Sequence, residues 1–210
     1  MSLWTIVQIR GLASGKSRLA TVLDTGARTA LNQWLLARVL EAVDGACGGL
    51  THCIVVSADP AALALACQRG AVAMEDPPDA GLNGAIGHAR SRALAGGAQR
   101  LLVIASDLPE ITAAALEDLL AAVGNGEAAI VADESLTGTN GLLLPADVNL
   151  TFAFGGGSLA AHRRSLQQHA LPVHLWQDAH LAFDLDTPDD LARLRDGPFS
   201  TPDGRVSLPA

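Results

Sequence analysis

The stretch Leu101-Leu102-Val103-Ile104-Ala105-Ser106-Asp107-Leu108-Pro109 decides the fold class of this chain. Five apolar residues without a polar interruption are typical of a strand that is buried on both faces of a sheet. The polar residues Ser106 and Asp107 follow at once, where such a strand leaves the sheet. A strand of this kind belongs in a mostly parallel sheet that helices cover on both sides.

Apolar runs of strand length alternate with helical patterns on both sides of that stretch. Before it, strands are predicted over 3–9, 53–57 and 71–74, and helices over 27–43, 60–69 and 82–94. After it, strands are predicted over 128–132, 141–144, 173–176 and 182–185, and helices over 113–123, over 159–169 and from Thr187-Pro188 onward. The pattern predicts a single three-layer α/β/α domain over residues 1–210, with a mostly parallel Rossmann-like sheet and an extended tail from about residue 197.

Composition limits the classes of function. The 210 residues are 49% hydrophobic and 17% charged, which is typical of a globular domain, and the net charge of -8 argues against a polymeric nucleic acid as partner. No signal peptide and no apolar run of membrane-spanning length are found, so neither export nor a membrane is expected. The three cysteines lack metal-ligand spacing and are expected to be reduced thiols that pack in the core, which predicts a cytoplasmic protein.

Lys16 is the only lysine of the chain and lies in a loop after the first predicted strand. The loop is Arg10-Gly11-Leu12-Ala13-Ser14-Gly15-Lys16-Ser17-Arg18. A strand followed by small residues and a lysine commonly binds phosphate, although a surface lysine is the simpler interpretation. The loop is similar to the P-loop pattern G-x-x-x-x-G-K-[ST], but Arg10 stands where its first glycine should be. A P-loop kinase or NTPase therefore remains an alternative.

Acidic residues follow two of the predicted strands. Asp107 comes directly after 101–105, and Asp184 and Asp186 alternate with Leu185. On an extended strand, Asp184 and Asp186 would point to one face, and with Asp107 they would make a site for a divalent cation such as Mg²⁺. The alternatives are that Asp107 caps its own turn and that the other two carboxylates are solvated.

Three loops carry neutral groups that suit a phosphate, a base or a ribose. They are Gly138-Thr139-Asn140-Gly141, Phe154-Gly155-Gly156-Gly157-Ser158 and Gly81-Leu82-Asn83-Gly84. Glycines let the backbone approach an anion, and the last two loops lead into predicted helices. The alternatives are a hairpin turn at Asn140-Gly141 and a flexible loop that a serine caps.

Taken together, these motifs resemble the 2-phospho-L-lactate guanylyltransferase family, whose nucleotidyltransferase fold is similar to that of molybdenum cofactor guanylyltransferase and of nucleotide-diphospho-sugar transferases. The resemblance spans residues 7 to 206. It rests on six runs and on the tail Gly204-Arg205-Val206; the runs are Gly15-Lys16-Ser17-Arg18-Leu19, Gly81-Leu82-Asn83, Ser106-Asp107-Leu108-Pro109, Gly138-Thr139-Asn140, residues 154–158 with His162, and residues 184–191.

The resemblance implies transfer of GMP from GTP to a phosphorylated three-carbon acid, with release of pyrophosphate, in the biosynthesis of the deazaflavin coenzyme F-420. The acid would be 2-phospho-L-lactate, phosphoenolpyruvate or 3-phosphoglycerate. The other interpretations are the P-loop-like enzyme, a nucleotidyltransferase for another small phosphorylated acceptor, and a non-catalytic nucleotide-binding module. A homodimer is one of the oligomeric states that the sequence leaves open.

The resemblance also assigns roles to residues. Asp107, Asp184 and Asp186 would hold Mg²⁺, and Thr139, Gly155 and Ser158 would bind the phosphorylated acid. Lys16, Arg10 and Asp107 would be catalytic, with Lys16 neutralising triphosphate charge. Nucleotide binding would involve Gly15, Lys16, Arg18 and Asn83. The family usually has a proline and a lysine where this chain has Gln8 and Arg10.

Overall fold

The structure, a computed structural model, describes residues 2–196. The predicted tail from about residue 197, including Gly204-Arg205-Val206, lies outside the described residues. The strands are β1 (Leu3–Gln8), β2 (Cys53–Ser57), β3 (Val72–Glu75), β4 (Arg100–Ala105), β5 (Ala128–Ala132), β6 (Thr139–Pro145) and β7 (Val173–Trp176). The helices are α1 (Thr25–Cys47), α2 (Pro60–Gln68), α3 (Gly81–Ala95), α4 (Ala113–Ala122), α5 (Ser158–Gln167), α6 (Ala179–Ala182) and α7 (Pro188–Asp196), with a 3-10 helix over Ser17–Thr21.

The seven strands form one sheet in the order β3-β2-β1-β4-β6-β5-β7. Strand β1 pairs in parallel with β2 and β4, and β5 pairs in parallel with β7. Strand β6 is antiparallel to both β4 and β5, with Gly141 opposite Ile104. The prediction of a mostly parallel sheet is confirmed, and β4 lies in its middle as the apolar run 101–105 predicts.

Side chains of β4 enter the cores on both faces of the sheet. Leu102 and Ile104 pack in the cluster that includes α1, α2 and α4, whereas Leu101 and Val103 pack in the cluster that includes α3 and α5. Alternate residues of a strand point to opposite faces, so an uninterrupted apolar run is required where both faces are covered. The three-layer α/β/α prediction is therefore confirmed.

Helices α2 and α4 begin where the sequence places their caps, whereas α5 begins one residue earlier than predicted and Ser158 does not cap it. The Asp59 carboxylate accepts from the Ala61 N–H before Pro60 opens α2, and the Thr112 hydroxyl accepts from the Ala115 N–H at the start of α4. Helix α5 begins at Ser158, with Gly157 as its N-cap residue. Among residues 2–196, no helix combines the length and apolar character needed to cross a membrane.

The strand predicted over 182–185 is wrong. Ala182 is the last residue of the short helix α6, which the Asp178 side chain caps, and residues 183–187 belong to no strand. The reason is sheet pairing, because β4 already has β1 and β6 on its two sides and offers no free edge. The segment instead crosses the end of β4, where the Leu185 N–H donates to the Asp107 carbonyl at 3.1 Å.

The cysteines agree only in part with the prediction of core packing. All three are free thiols; Cys53 is buried and Cys47 is half-buried, whereas Cys67 is exposed. Burial raises the pKa of the Cys53 thiol to about 12, so this thiol is inert as a nucleophile.

Candidate active site

A cleft of about 840 Å³ lies at the edge of the sheet where β1 and β4 end and β6 begins. Because β6 is antiparallel to β4, its first residue, Thr139, lies at the same edge as the last residues of β4. In sheets of this kind, ligands bind beyond the carboxyl ends of the parallel strands. Two groups of residues at this cleft are named here. The charged wall is Asp107, Asp184 and Asp186 together with Lys16, which bonds Asp107 and Asp186 but does not itself line the cleft, and the neutral wall is Thr139, Gly155 and Ser158.

Lys16 is the centre of the charged wall. Its Nζ lies 2.6 Å from Asp107 Oδ2 and 2.8 Å from Asp186 Oδ1, and only 7% of its side chain is exposed. Burial lowers the pKa of Lys16, but the two carboxylates outweigh that effect and hold its pKa above the usual value. The simpler interpretation of a surface lysine is therefore wrong.

The backbone of Lys16 is in the left-handed region, with φ 59° and ψ 44°. A side chain in this region costs on the order of 1 kcal/mol, so its surroundings must hold it there. The Leu12 N–H donates to Asp59 Oδ2 at 2.7 Å, and Asn32 Nδ2 donates to the Leu12 carbonyl at 2.7 Å. The first of these bonds occupies a backbone N–H of the kind that a P-loop would offer to phosphate, which adds to the departure at Arg10.

The segment that carries Asp184 and Asp186 is held beside Lys16 by the packing of leucines. Leu185 is fully buried in a cluster with Leu19, three residues after Lys16, and with residues of α1 and α7. The leucine cluster brings the lysine loop beside Asp186, although 170 positions separate Lys16 from Asp186. Thr187 and Asp190 close the start of α7 with reciprocal hydrogen bonds, and Asp190 Oδ2 also accepts from the Asp186 N–H at 3.0 Å.

Asp184 carries the clearest electrostatic signature of the charged wall. Burial and the neighbouring carboxylates of Asp107 and Asp186 raise its pKa to about 6. Its two acidic neighbours already share the Lys16 ammonium, so Asp184 is the carboxylate that most lacks positive charge. All three carboxylates line the cleft, as the sequence predicts, although the segment 183–187 is irregular and not a strand.

The neutral wall consists of β6, the glycine loop and the start of α5. Gly155 and Gly157 have φ of 121° and 72°, which side chains other than glycine rarely adopt. Ser158 is 1% exposed, and its hydroxyl has no hydrogen-bond partner among the described residues although the residue lines the cleft. The Thr139 hydroxyl lies 3.1 Å from His162 Nδ1. The wall thus offers hydroxyl groups and open backbone without any formal charge.

Four residues that were predicted to bind the nucleotide or to be catalytic are not placed by the structure as a group around the cleft. Arg18 lines the cleft, but its side chain is 73% exposed and 3.9 Å from Asp186 Oδ2. Arg10 is exposed, Gly15 packs against Asn32, and neither lines the cleft. The Asn83 amide bonds the backbone of Phe154 twice, at 2.7 and 3.1 Å, so it holds the glycine loop in place. Contacts of these residues with a nucleotide stay predictions.

The structure contradicts the hairpin turn at Asn140-Gly141, whereas binding of a phosphate or a base by this loop stays a prediction. Asn140 lies within β6, so Asn140-Gly141 is not a hairpin turn. Its amide donates to the carbonyls of Leu181 and Ala182, at 3.1 and 2.8 Å, and therefore anchors the segment that carries Asp184 and Asp186.

Asn32 and His162 were not assigned roles from the sequence. The signal for Asn32 is a polar residue next to the apolar stripe of α1, since a buried amide needs a partner. The signal for His162 is its position four residues after Ser158, which puts both on one face of α5.

The donor set suits a hard cation. Among the described residues, six acidic side chains and one basic side chain, that of Arg18, line the cleft, and carboxylate oxygens are ligands that Mg²⁺ and Mn²⁺ accept. Within residues 2–196, however, no three acidic, histidine or cysteine side chains are arranged as a metal site, and the Lys16 ammonium lies between Asp107 and Asp186. The carboxylates are therefore chemically suited to a divalent cation, but their side chains would have to rearrange in order to bind it.

Solved structures of other proteins share this fold. A nucleotidyl transferase from Methanothermobacter thermautotroptrophicus superposes with a TM-score of 0.66 at 17% identity, over 93% of this chain and 96% of that chain. A Desulfovibrio desulfuricans G20 protein assigned as a nucleotide-diphospho-sugar transferase superposes with a TM-score of 0.70 at 17% identity, over 99% of this chain and 93% of that chain. The fold is that of a nucleotidyltransferase, as the resemblance implies.

Sequence comparison then gives the family. The chain belongs to the family described as "Guanylyl transferase CofC like", whose sequence model matches residues 3–195. The phosphoenolpyruvate guanylyltransferase of Rubrobacter xylanophilus is 40% identical over 92% of this chain and 94% of its own length. The phosphoenolpyruvate guanylyltransferase of Sphaerobacter thermophilus is 38% identical over 92% of this chain and 93% of its own length. The 3-phospho-D-glycerate guanylyltransferase of Phenylobacterium zucineum is 32% identical over 92% of this chain and 89% of its own length.

Proposed function

We propose that this enzyme transfers GMP from GTP to phosphoenolpyruvate, with release of pyrophosphate, for assembly of the deazaflavin coenzyme F-420. The relatives named for phosphoenolpyruvate, at 40% and 38% identity, favour that acid over 3-phosphoglycerate and 2-phospho-L-lactate. The observation that carries the proposal is the two-walled cleft, in which a charged wall faces a neutral wall.

The reaction joins two anions. An oxygen of the acceptor phosphate forms a bond to the α-phosphorus of GTP, the bond from that phosphorus to the α–β bridging oxygen breaks, and pyrophosphate leaves with the electron pair. Six acidic side chains line this cleft, so a triphosphate needs added positive charge to enter it. Asp107, Asp184 and Asp186 would hold a divalent cation, which when bound offsets charge on the phosphates. We propose Mg²⁺, and a Mycobacterium tuberculosis protein of similar fold was solved in complex with manganese.

The residues of this chain divide the work between the walls. Lys16 and Arg18 would leave the carboxylates and contact the triphosphate as these acids bind the cation. Thr139, Ser158 and the backbone at Gly155 would hold the phosphorylated acid by hydrogen bonds. These neutral groups suffice because the cation and Lys16 on the charged wall would offset the negative charge of the two substrates. No protein nucleophile is required, since the acceptor phosphate itself attacks.

The test is a turnover assay with the full chain, GTP, Mg²⁺ or Mn²⁺, and each of the three acids. Release of pyrophosphate and a product mass equal to acid plus GMP are expected, with the highest kcat/KM for phosphoenolpyruvate. Release of GDP or ADP would support the P-loop-like kinase or NTPase, and no turnover with any nucleotide would support a non-catalytic module. Cytoplasmic location and a homodimer stay predictions, which fractionation of cells and sedimentation of the purified chain check.

A further inference from the structure

His162 is a buried imidazole whose two nitrogens both have partners. The residue is 0% exposed and lies on α5, four residues after Ser158. Its Nε2 lies 3.0 Å from the backbone nitrogen of Ala153, and its Nδ1 lies 3.1 Å from Thr139 Oγ1. The ring also meets Phe154 edge to face, with centroids 4.7 Å apart. One side chain therefore connects β6, the glycine loop and the start of α5.

The partners determine the tautomer of the ring. The backbone N–H of Ala153 can only donate, so Nε2 of His162 must be the nitrogen with the free lone pair. A neutral imidazole has one N–H, which is then on Nδ1 and points at the Thr139 hydroxyl oxygen. Burial lowers the pKa of His162 to about 4, which keeps the ring neutral near pH 7.

The tautomer in turn determines what the Thr139 hydroxyl can do. With its oxygen accepting from His162, the hydroxyl proton needs another acceptor, and within residues 2–196 this hydroxyl makes no hydrogen bond besides the one with His162. Thr139 lines the cleft, where an anion would supply that acceptor. We propose that His162 is a positioning residue, which makes the Thr139 hydroxyl a donor to the phosphorylated acid and sets its distance from Ser158.

This inference rests on the proposed function for the identity of the anion, but the tautomer can be measured without turnover. In protein labelled at the ring nitrogens of histidine, NMR should show one neutral ring with the proton on Nδ1 near pH 7. The resonance is assigned by its loss in His162→Gln. A proton on Nε2, or a charged ring at that pH, would overturn the proposal even if the enzyme is active.

Two substitutions separate the bonds of His162. In His162→Asn the amide nitrogen takes the place of Nδ1 and can still donate to Thr139, but the Ala153 N–H loses its acceptor. In His162→Gln the amide oxygen takes the place of Nε2 and can still accept from Ala153, but the donor to Thr139 is lost. An unsatisfied buried N–H is costly, so His162→Asn should be the less thermally stable of the two.

Affinity for the acid should follow the opposite order. We expect His162→Gln to raise the KM for phosphoenolpyruvate about tenfold, and His162→Asn to raise it by less than about threefold, with the KM for GTP nearly unchanged in both. A purely structural role would make the less stable variant the poorer binder. If KM follows stability, or if both variants bind the acid as the wild type does, the positioning role is wrong.

A double-mutant cycle with Thr139→Val completes the test. If His162 acts through the Thr139 hydroxyl, His162→Gln should have no further effect on the KM for the acid in the Thr139→Val protein. Additive effects would show that the two residues act independently and would overturn the proposal. Absence of pyrophosphate release from the wild type would instead refute the proposed function and leave the tautomer measurement standing.

Discussion

The two walls of the cleft are held in place by different interactions. On the charged wall, groups of opposite charge hold one another, and the central ammonium sits on a strained residue between Asp107 and Asp186. On the neutral wall, a buried imidazole and the Asn83 amide hold Thr139 and the loop before Ser158. In the proposed reaction, the ion pairs of the first arrangement would be exchanged for contacts with phosphates, whereas the hydrogen bonds of the second are already in place. We therefore expect substitutions on the charged wall to change kcat, and those on the neutral wall to change the KM for the acid.

The largest effect should come from Asp107→Asn. The substitution keeps the shape of the side chain but removes the charge that would hold the divalent cation, so kcat should fall by about three decades or more while the thermal unfolding temperature changes little. Turnover with titrated Mg²⁺ is the measurement. Asp118→Asn, on the exposed face of α4, is the matched control and should behave as the wild type. An active Asp107→Asn enzyme with unchanged metal dependence would contradict the metal-site assignment.

Lys16→Met should have the second largest effect. One buried charge that contacts a polyphosphate transition state is worth several kcal/mol, so kcat/KM should fall by about two decades or more. Lys16→Arg should recover part of the activity at best, because the guanidinium is larger and planar. Arg18→Met, which removes an exposed charge from the same wall, should cost less than about tenfold. Equal losses in Lys16→Met and Arg18→Met would show that only the summed charge matters.

Ser158→Ala tests the neutral wall. A hydrogen bond from a hydroxyl to a charged ligand contributes about 1.5–3 kcal/mol, so the KM for the phosphorylated acid should rise by about one to two decades. The KM for GTP should stay nearly constant, and steady-state kinetics with each substrate varied in turn measures both. Ser91→Ala, an exposed serine of α3, is the control. A rise in the KM for GTP alone would assign the neutral wall to the wrong ligand.

The smallest effect is on stability and comes from Asp184→Asn in the metal-free protein. The folded state raises the pKa of Asp184 from 3.8 to about 6, so folding takes up a proton between these values and wild-type stability falls as pH rises through this window. Asparagine has no such penalty. After a discount for partial exposure, the difference is about 1 kcal/mol, so Asp184→Asn should unfold about 2–4 °C higher at pH 8. Near pH 4 the two proteins should unfold alike, and thermal scans across pH would contradict the shift if the difference did not change.

Most secondary structure could be predicted from the sequence because apolar patterns and caps act locally. The run 101–105 is a buried central strand, and Asp59-Pro60 and Thr112 open helices as expected. The apolar residues around 182–185 misled the prediction, because their burial comes from packing in a leucine cluster and under α7 and not from pairing in the sheet. Pattern alone cannot separate these two ways of burying a short segment.

Individual side chains of the site could be chosen from the sequence, but their partners could not. Lys16 stands out as the only lysine, and Asp107, Asp184 and Asp186 stand out by their positions after apolar runs. The sequence did not show that the ammonium lies between two of those carboxylates, that Asn83 serves the glycine loop, or that His162 holds Thr139.

The sequence by itself determined the class of fold, because periodicity and capping are local properties of the chain, and the family, because its short motifs resemble those of the family in their order. Only the tertiary structure decided which groups meet. Lys16 reaches Asp186 across 170 positions because Leu19 and Leu185 share one apolar cluster, and Thr139 reaches His162 because β6 runs antiparallel to its neighbours. Contacts of this kind depend on how elements pack, and packing is a property of the whole chain.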